Sequence, residues 1–170
     1  DQSVDFAALS PVVLALAREA IDDFTATRGR EGEKLAAMIV DRVNAMREIV
    51  RQVAPRIPEA QQLFTDKLRQ RLQEALGNAS DDRILQEVAV FATRIDVAEE
   101  ISRLSTHLDE VERVLKQGGA SGKRLDFLMQ ELNREANTLG SKSAITEVSQ
   151  AAMDLKLLIE QMREQIQNLE

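Results

Sequence analysis

Residues 145–169 read ITEVSQAAMDLKLLIEQMREQIQNL. Ile145, Val148, Ala152, Leu155, Ile159, Met162, Ile166 and Leu169 recur in alternating steps of three and four. Only a helix gathers that spacing on one face, and the result is an unbroken heptad stripe. So narrow an apolar seam requires a partner helix, from this chain or from another subunit. Upstream, Gly118-Gly119-Ala120-Ser121-Gly122 is the clearest flexible loop in the chain. It separates a helix carrying Leu125, Leu128, Leu132 and Ala136, expected to end near Gly140, from one carrying Ile101, Leu104, Leu108, Val111 and Leu115. Asp96-Val97-Ala98-Glu99 has the form of an acidic capping box that restarts the helix there.

The same periodicity extends to the N-terminal half. Ser80-Asp81-Asp82 opens a segment whose inward residues are Ile84, Val88, Phe91 and Ile95. Before it, Leu63, Phe64, Leu68, Leu72 and Leu76 are expected inward, with Gly77-Asn78 as terminator. Pro55 and Pro58 stop an amphipathic helix built on Leu35, Ile39, Val43, Met46, Val50 and Val53. Arg28-Gly29-Arg30-Glu31-Gly32 reads as a break or a strained passage. Ser10-Pro11 supplies a start signal for Val13, Leu16, Ala20 and Phe24. The fold class is therefore all-α, with long amphipathic helices in an extended bundle and a C-terminal heptad helix.

Composition narrows the chemistry. The 170 residues carry a net charge of −7, with no cysteine and a single histidine, His107. Disulfides, thiolate catalysis and cysteine-based zinc sites are excluded, and one chain offers no two-histidine metal site. No apolar run approaches the length of a membrane span. The acidic balance argues against a general phosphate-binding surface, and only residues 28–56 hold a basic excess. No phosphate-binding glycine loop, dinucleotide fingerprint, HExxH or nucleophile elbow is present.

Three polar constellations remain, each with a packing explanation beside the functional one. Asp96, Glu100, Arg103 and His107 share one helix face, with Glu99 adjoining. They suit a carboxylate-held cation with an imidazole poised for proton transfer, or an ordinary solvated face with i,i+4 pairs. Arg28, Arg30 and Glu31 surround two glycines that would let a backbone approach a ligand. In the third, Asp126, Gln130, Asn133, Arg134 and Asn137 line one side of a helix, with Glu131 and Glu135 one turn apart on its flank. Amides and a guanidinium suit recognition of phosphates, sugars or base edges, and a buried interhelix network equally.

Four stretches resemble the YicC-like proteins of bacteria and occur in that family's order. They are REGEKL (30–35), RILQEVAVFATRIDVAEEISRLSTHL (83–108), GKRLDFLMQELNREANTLGSKS (122–143) and IEQMREQIQNLE (159–170). The resemblance implies a cytoplasmic, divalent-metal-dependent endoribonuclease (Mg²⁺ or Mn²⁺) that cuts RNA rather than DNA and assembles as a homo-oligomer, a hexamer at full length. It also implies an N-terminal region, partly β, lying outside this chain. Residues 1–80 are then a helical middle region and 81–170 the family's C-terminal helical domain. On this reading Asp96, Glu99 and Glu100 are expected to hold the cation, Arg103 to neutralise the phosphate and His107 to move a proton. Glu131, Glu135, Arg134 and Asn137 complete the site, and Arg28, Arg30, Arg124 and Lys142 grip the RNA. The rival reading is a helical assembly module without chemistry of its own, which the heptad stripe favours.

Overall fold

The computed structural model describes residues 6–76 and 81–167 and is all-α, with no strand among the described residues. Six helices follow in order: α1 (Phe6–Val53), α2 (Arg56–Leu76), α3 (Asp81–Arg94), α4 (Ala98–Gln117), α5 (Gly122–Lys142) and α6 (Thr146–Gln167). Two units are distinguished, divided between Met38 and Ile39.

In the first unit, α1 begins at Phe6, a turn ahead of the Ser10-Pro11 signal, and Pro11 lies inside it. Proline's fixed φ is close to the helical value, although at the sixth position of α1 its ring supplies no N–H to the helical ladder. The expected break at Arg28–Gly32 does not occur, and the helix continues through it. Two helical glycines cost about 1 kcal/mol each relative to alanine. The Arg, Glu, Lys, Leu and Ala residues around them favour helix strongly enough to carry the chain across. Val13, Leu16 and Phe24 are exposed.

The second unit holds the core. Ile39, Val43, Met46, Val50 and Val53 on the C-terminal part of α1 are all buried. That part is tied to α6 by Arg42 Nε donating to Gln161 Oε1 at 2.9 Å, and to α4 by Arg47 reaching Asp109 at 2.6 Å. The α1 helix ends before Pro55, as expected, and Pro58 falls in the first turn of α2, where its missing N–H removes no intrahelical bond. The α2 and α3 helices pack on each other. Phe64, Leu68 and Leu72 are half-buried, whereas Leu63 points outward, because it precedes Phe64 by one residue and so lies about 100° around the helix. Ile84, Val88 and Ile95 are buried and Phe91 half-buried. Gly77, Asn78 and Ser80 lie outside the described residues, as does the side chain of Leu76.

The acidic start of α4 works differently from a capping box. Asp96 Oδ1 accepts the backbone N–H of Ala98 at 3.0 Å, and Glu99 turns away to Arg103. Leu104, Leu108, Val111 and Val114 form the buried face of α4, with Leu115 half-buried beside them. Gly118 and Gly119 adopt φ of +64° and +79°, the left-handed conformation that L side chains resist, and this reverses the chain into α5. The α5 helix then packs on both α4 and α6.

The partner of the heptad stripe is in the same chain. Val148, Ala152, Leu155, Ile159, Met162 and Ile166 are buried, with α5 as the principal neighbour of α6. The two helices approach closely at Gly140, where an added Cβ would lie 3.3 Å from Ala152 Cβ. Ile145 is half-buried and Leu169 lies outside the described residues. Leu155→Ala should therefore cost about 2–5 kcal/mol of stability, read by urea denaturation. Because the seam is intramolecular, the shift in midpoint should not depend on protein concentration.

Candidate metal centre

The α4–α5 hairpin brings together three residues that the sequence separates. His107 on α4 and Glu131 and Glu135 on α5 each offer a ligand atom, and these atoms all lie within 4.8 Å of one another. His107 and Glu131 are half-buried, whereas Glu135 is only 3% exposed. The apolar stripes of the two helices place them. Leu104 and Leu108 bracket His107, and Leu132 and Ala136 follow Glu131 and Glu135, all four with no exposed surface.

Burial of the Glu135 carboxylate is expensive unless its charge is met. Its hydrogen bond among the described residues comes from Arg103 Nη1 at 3.5 Å, a marginal length. The same guanidinium binds Glu99 Oε1 through Nη2 at 2.5 Å. That hydrogen bond, with the fields of Glu99 and Glu135, raises the Arg103 pKa above its ordinary value. Glu131 and His107 form no ion pair among the described residues. Two carboxylates and an imidazole this close, one carboxylate buried and weakly bonded, fit a hard or borderline divalent cation by donor type and by uncompensated charge.

The carboxylates expected to hold the cation are occupied separately. Asp96 accepts from Ala98, and Glu99 engages Arg103. Glu100, 5% exposed, receives Lys142 Nζ on Oε1 at 2.8 Å. That bond, reinforced by the fields of Glu100, Asp96 and Glu99, raises the Lys142 pKa. Among the described residues, these three carboxylates do not converge as the His107 cluster does.

The residues expected to grip RNA are dispersed. Within the first unit, Arg28 lies over the Phe24 ring at 5.8 Å and Arg30 donates to Thr27 at 2.9 Å. Arg134 and Asn137 are exposed on α5, and Asn137 donates to Asn133 at 3.0 Å. The amide face of α5 is thus bonded along its own helix, for Gln130 likewise donates to Asp126 at 2.8 Å. Lys142 is committed to Glu100. Arg124 alone of this group lines a groove of about 890 Å³ that also takes in His107.

Comparison with known proteins is decisive for kinship. The family described as "Endoribonuclease YicC-like, C-terminal" matches residues 50–170. The chain belongs to this YicC-like family. A Haemophilus influenzae protein named "Probable endoribonuclease YicC" is 47% identical over 169 residues, covering 99% of this chain and 59% of that protein. A Clostridioides difficile protein of the same name is 34% identical over 146 residues, covering 84% of this chain and 50% of its own length. The chain thus spans roughly half to three-fifths of these YicC relatives.

The polar groove residues beyond Arg124 and His107 were not singled out as site candidates in the sequence. On α4, Glu110 accepts from Arg113 Nη2 at 2.6 Å and from Arg124 Nε at 3.1 Å. The Arg113 bond first, then the Arg124 bond, hold the Glu110 carboxyl at about 2, below its ordinary 4.5. A depressed folded-state pKa contributes stability that is complete above the unfolded value and is lost as pH falls toward the folded one. The difference in Tm between the wild type and Glu110→Gln should therefore narrow between about pH 6 and about pH 3. A constant difference across that range would show that Glu110 acts by packing alone.

Proposed function

We propose that His107, Glu131 and Glu135 hold a divalent cation, Mg²⁺ or Mn²⁺, in an endoribonuclease that hydrolyses RNA phosphodiester bonds. The observation that carries this reading is the convergence of one imidazole and two carboxylates, from two helices, around the buried Glu135. The relatives' name supports the reaction class and the substrate. A bound cation would supply Lewis-acid neutralisation of charge developing on the phosphoryl oxygens.

The protein's own groups divide the remaining work. His107 would offer a ring nitrogen to the cation, the atom through which imidazole ligates. Arg103 is spent on two carboxylates, so it acts by holding Glu135 in place rather than by meeting the phosphate. Leu104, Leu108, Leu132 and Ala136 exclude water from the floor of the cluster and strengthen the interactions above it. Homo-oligomeric assembly belongs to the same proposal, and light scattering reads it directly. No described helix is long and apolar enough to cross a membrane. The heptad stripe, which favoured a pure assembly module, is consumed inside the chain.

Two measurements test the reading. Calorimetric titration with Mn²⁺ should show binding that weakens about tenfold or more in His107→Ala and Glu135→Gln, but stays unchanged in Asp96→Asn. End-labelled structured RNA, incubated with Mn²⁺ and this chain or the full-length Haemophilus influenzae relative, should show internal cuts that a chelator abolishes. His107→Ala and Glu131→Gln should remove those cuts without altering helicity by circular dichroism. Chelator-resistant cutting would overturn the metal assignment, and no cutting by either protein would favour the assembly module.

A further inference from the structure

Two charged residues are buried among the described residues, Glu100 at 5% exposed and Glu135 at 3%. Both lie on the α4–α5 hairpin, and each meets a basic residue of the opposite helix. The two are nevertheless matched very differently. Lys142 Nζ stands 2.8 Å from Glu100 Oε1, an ordinary length for a hydrogen bond between charged groups. Arg103 Nη1 stands 3.5 Å from Glu135 Oε1, where little of a hydrogen bond survives. Burial does not explain the contrast, because it is nearly the same for both carboxylates.

The difference lies in a third carboxylate. Glu99 precedes Arg103 by one turn of α4, the i,i+4 arrangement with the acid nearer the N-terminus that favours pairing. Its Oε1 accepts from Arg103 Nη2 at 2.5 Å. Among the interactions that raise the Arg103 pKa, the hydrogen bond to Glu99 contributes most and the one to Glu135 least. The Glu99 and Arg103 side chains are 69% and 49% exposed, so the guanidinium keeps much of its hydration by staying with Glu99. Closing on Glu135 would strip that water away. No second acid bonds Lys142 among the described residues, and it closes fully on Glu100.

We infer that Glu99 is a positioning residue for the cation centre: by holding Arg103 at the rim, it keeps that guanidinium from neutralising Glu135 and leaves the buried carboxylate free to ligate. The assignment rests on the cation-centre reading. It adds the reason why one buried glutamate of the hairpin ligates while the other is structural. Glu135 receives enough of Arg103 to be held in place and too little to be cancelled.

The test is a cycle of Glu99→Gln and Arg103→Gln in the 170-residue chain, with Mn²⁺ titrated calorimetrically into each variant. Glu99 is exposed, so its replacement should leave the thermal melt by circular dichroism unchanged. Salt at about 0.15 M screens the field of an exposed carboxylate. With Arg103 present, Glu99→Gln should weaken Mn²⁺ binding about tenfold. With Arg103→Gln in place, the same substitution should leave the affinity unaltered. A metal-free crystal structure of Glu99→Gln should show Arg103 closed on Glu135 at about 2.7–2.9 Å. Unchanged affinity in Glu99→Gln overturns the assignment and leaves the cation centre standing. Equal weakening in both backgrounds does the same, because it reports only the charge of Glu99. An Arg103 that remains at 3.5 Å from Glu135 in the variant structure also overturns the assignment. No Mn²⁺ binding by the wild type overturns the cation-centre reading and this assignment with it.

Discussion

The packing of α5 against both α4 and α6 is the constraint on which the site depends. Met129, Leu132, Ala136 and Leu139 are wholly buried, and together they fix the rotation of α5 about its own axis. Once these residues face the core, Glu135, one turn from both Leu132 and Leu139, is buried with them. Turning α5 to free the carboxylate would expose Leu132 and Leu139, at about 1.5–3 kcal/mol for each side chain brought into water. Hydrophobic burial thus holds a carboxylate where it is poorly solvated. Arg103 offsets part of that cost, whereas the neighbouring Glu131 adds to it.

Much of this fold was legible in the sequence because apolar periodicity reports which face of a helix is buried. The stripe from Val148 to Ile166 and the Leu104–Leu108–Val111 series were both readable in that way. Glycine was the weaker guide. At Gly118-Gly119 two residues with positive φ do turn the chain, whereas at Gly29 and Gly32 the helix runs on. The difference lies in the neighbours, since a chain of good helix formers tolerates isolated glycines and a run of small residues does not. Leu63 shows a similar limit, because it lies about 100° around the helix from Phe64 and falls off the narrow buried stripe of α2.

The site was legible only in part, and for a different reason. Spacing along one helix shows which side chains share a face, so Asp96, Glu99, Glu100, Arg103 and His107 looked like a unit. Spacing says nothing about which turn of a second helix lies opposite. Glu100 meets Lys142, and Arg103 meets Glu135, across α4 and α5, and neither pairing is local. The available signal was the like-charge pair Glu131 and Glu135, one turn apart without a basic residue between them on that face. Such a pair is unfavourable unless something positive is brought to it from elsewhere. Phe127, in the same row, is exposed.

The Gly118-Gly119 reversal orders these pairings along the hairpin. Antiparallel helices joined by a short loop meet in a fixed register, so polar partners occur as successive rungs. Glu110 and Arg124 form the rung nearest the loop, followed by His107 with Glu131, Arg103 with Glu135, and Glu100 with Lys142 at the far end. The balance of charge changes along this ladder. Near the loop, two arginines exceed their one carboxylate, whereas two turns away the carboxylates exceed Arg103. Surfaces of opposite charge at close range would neutralise each other. Distribution along one hairpin spaces them over successive turns while keeping them on the same pair of helices. The net charge of −7 therefore conceals a local cationic excess at the loop end of the α4–α5 seam.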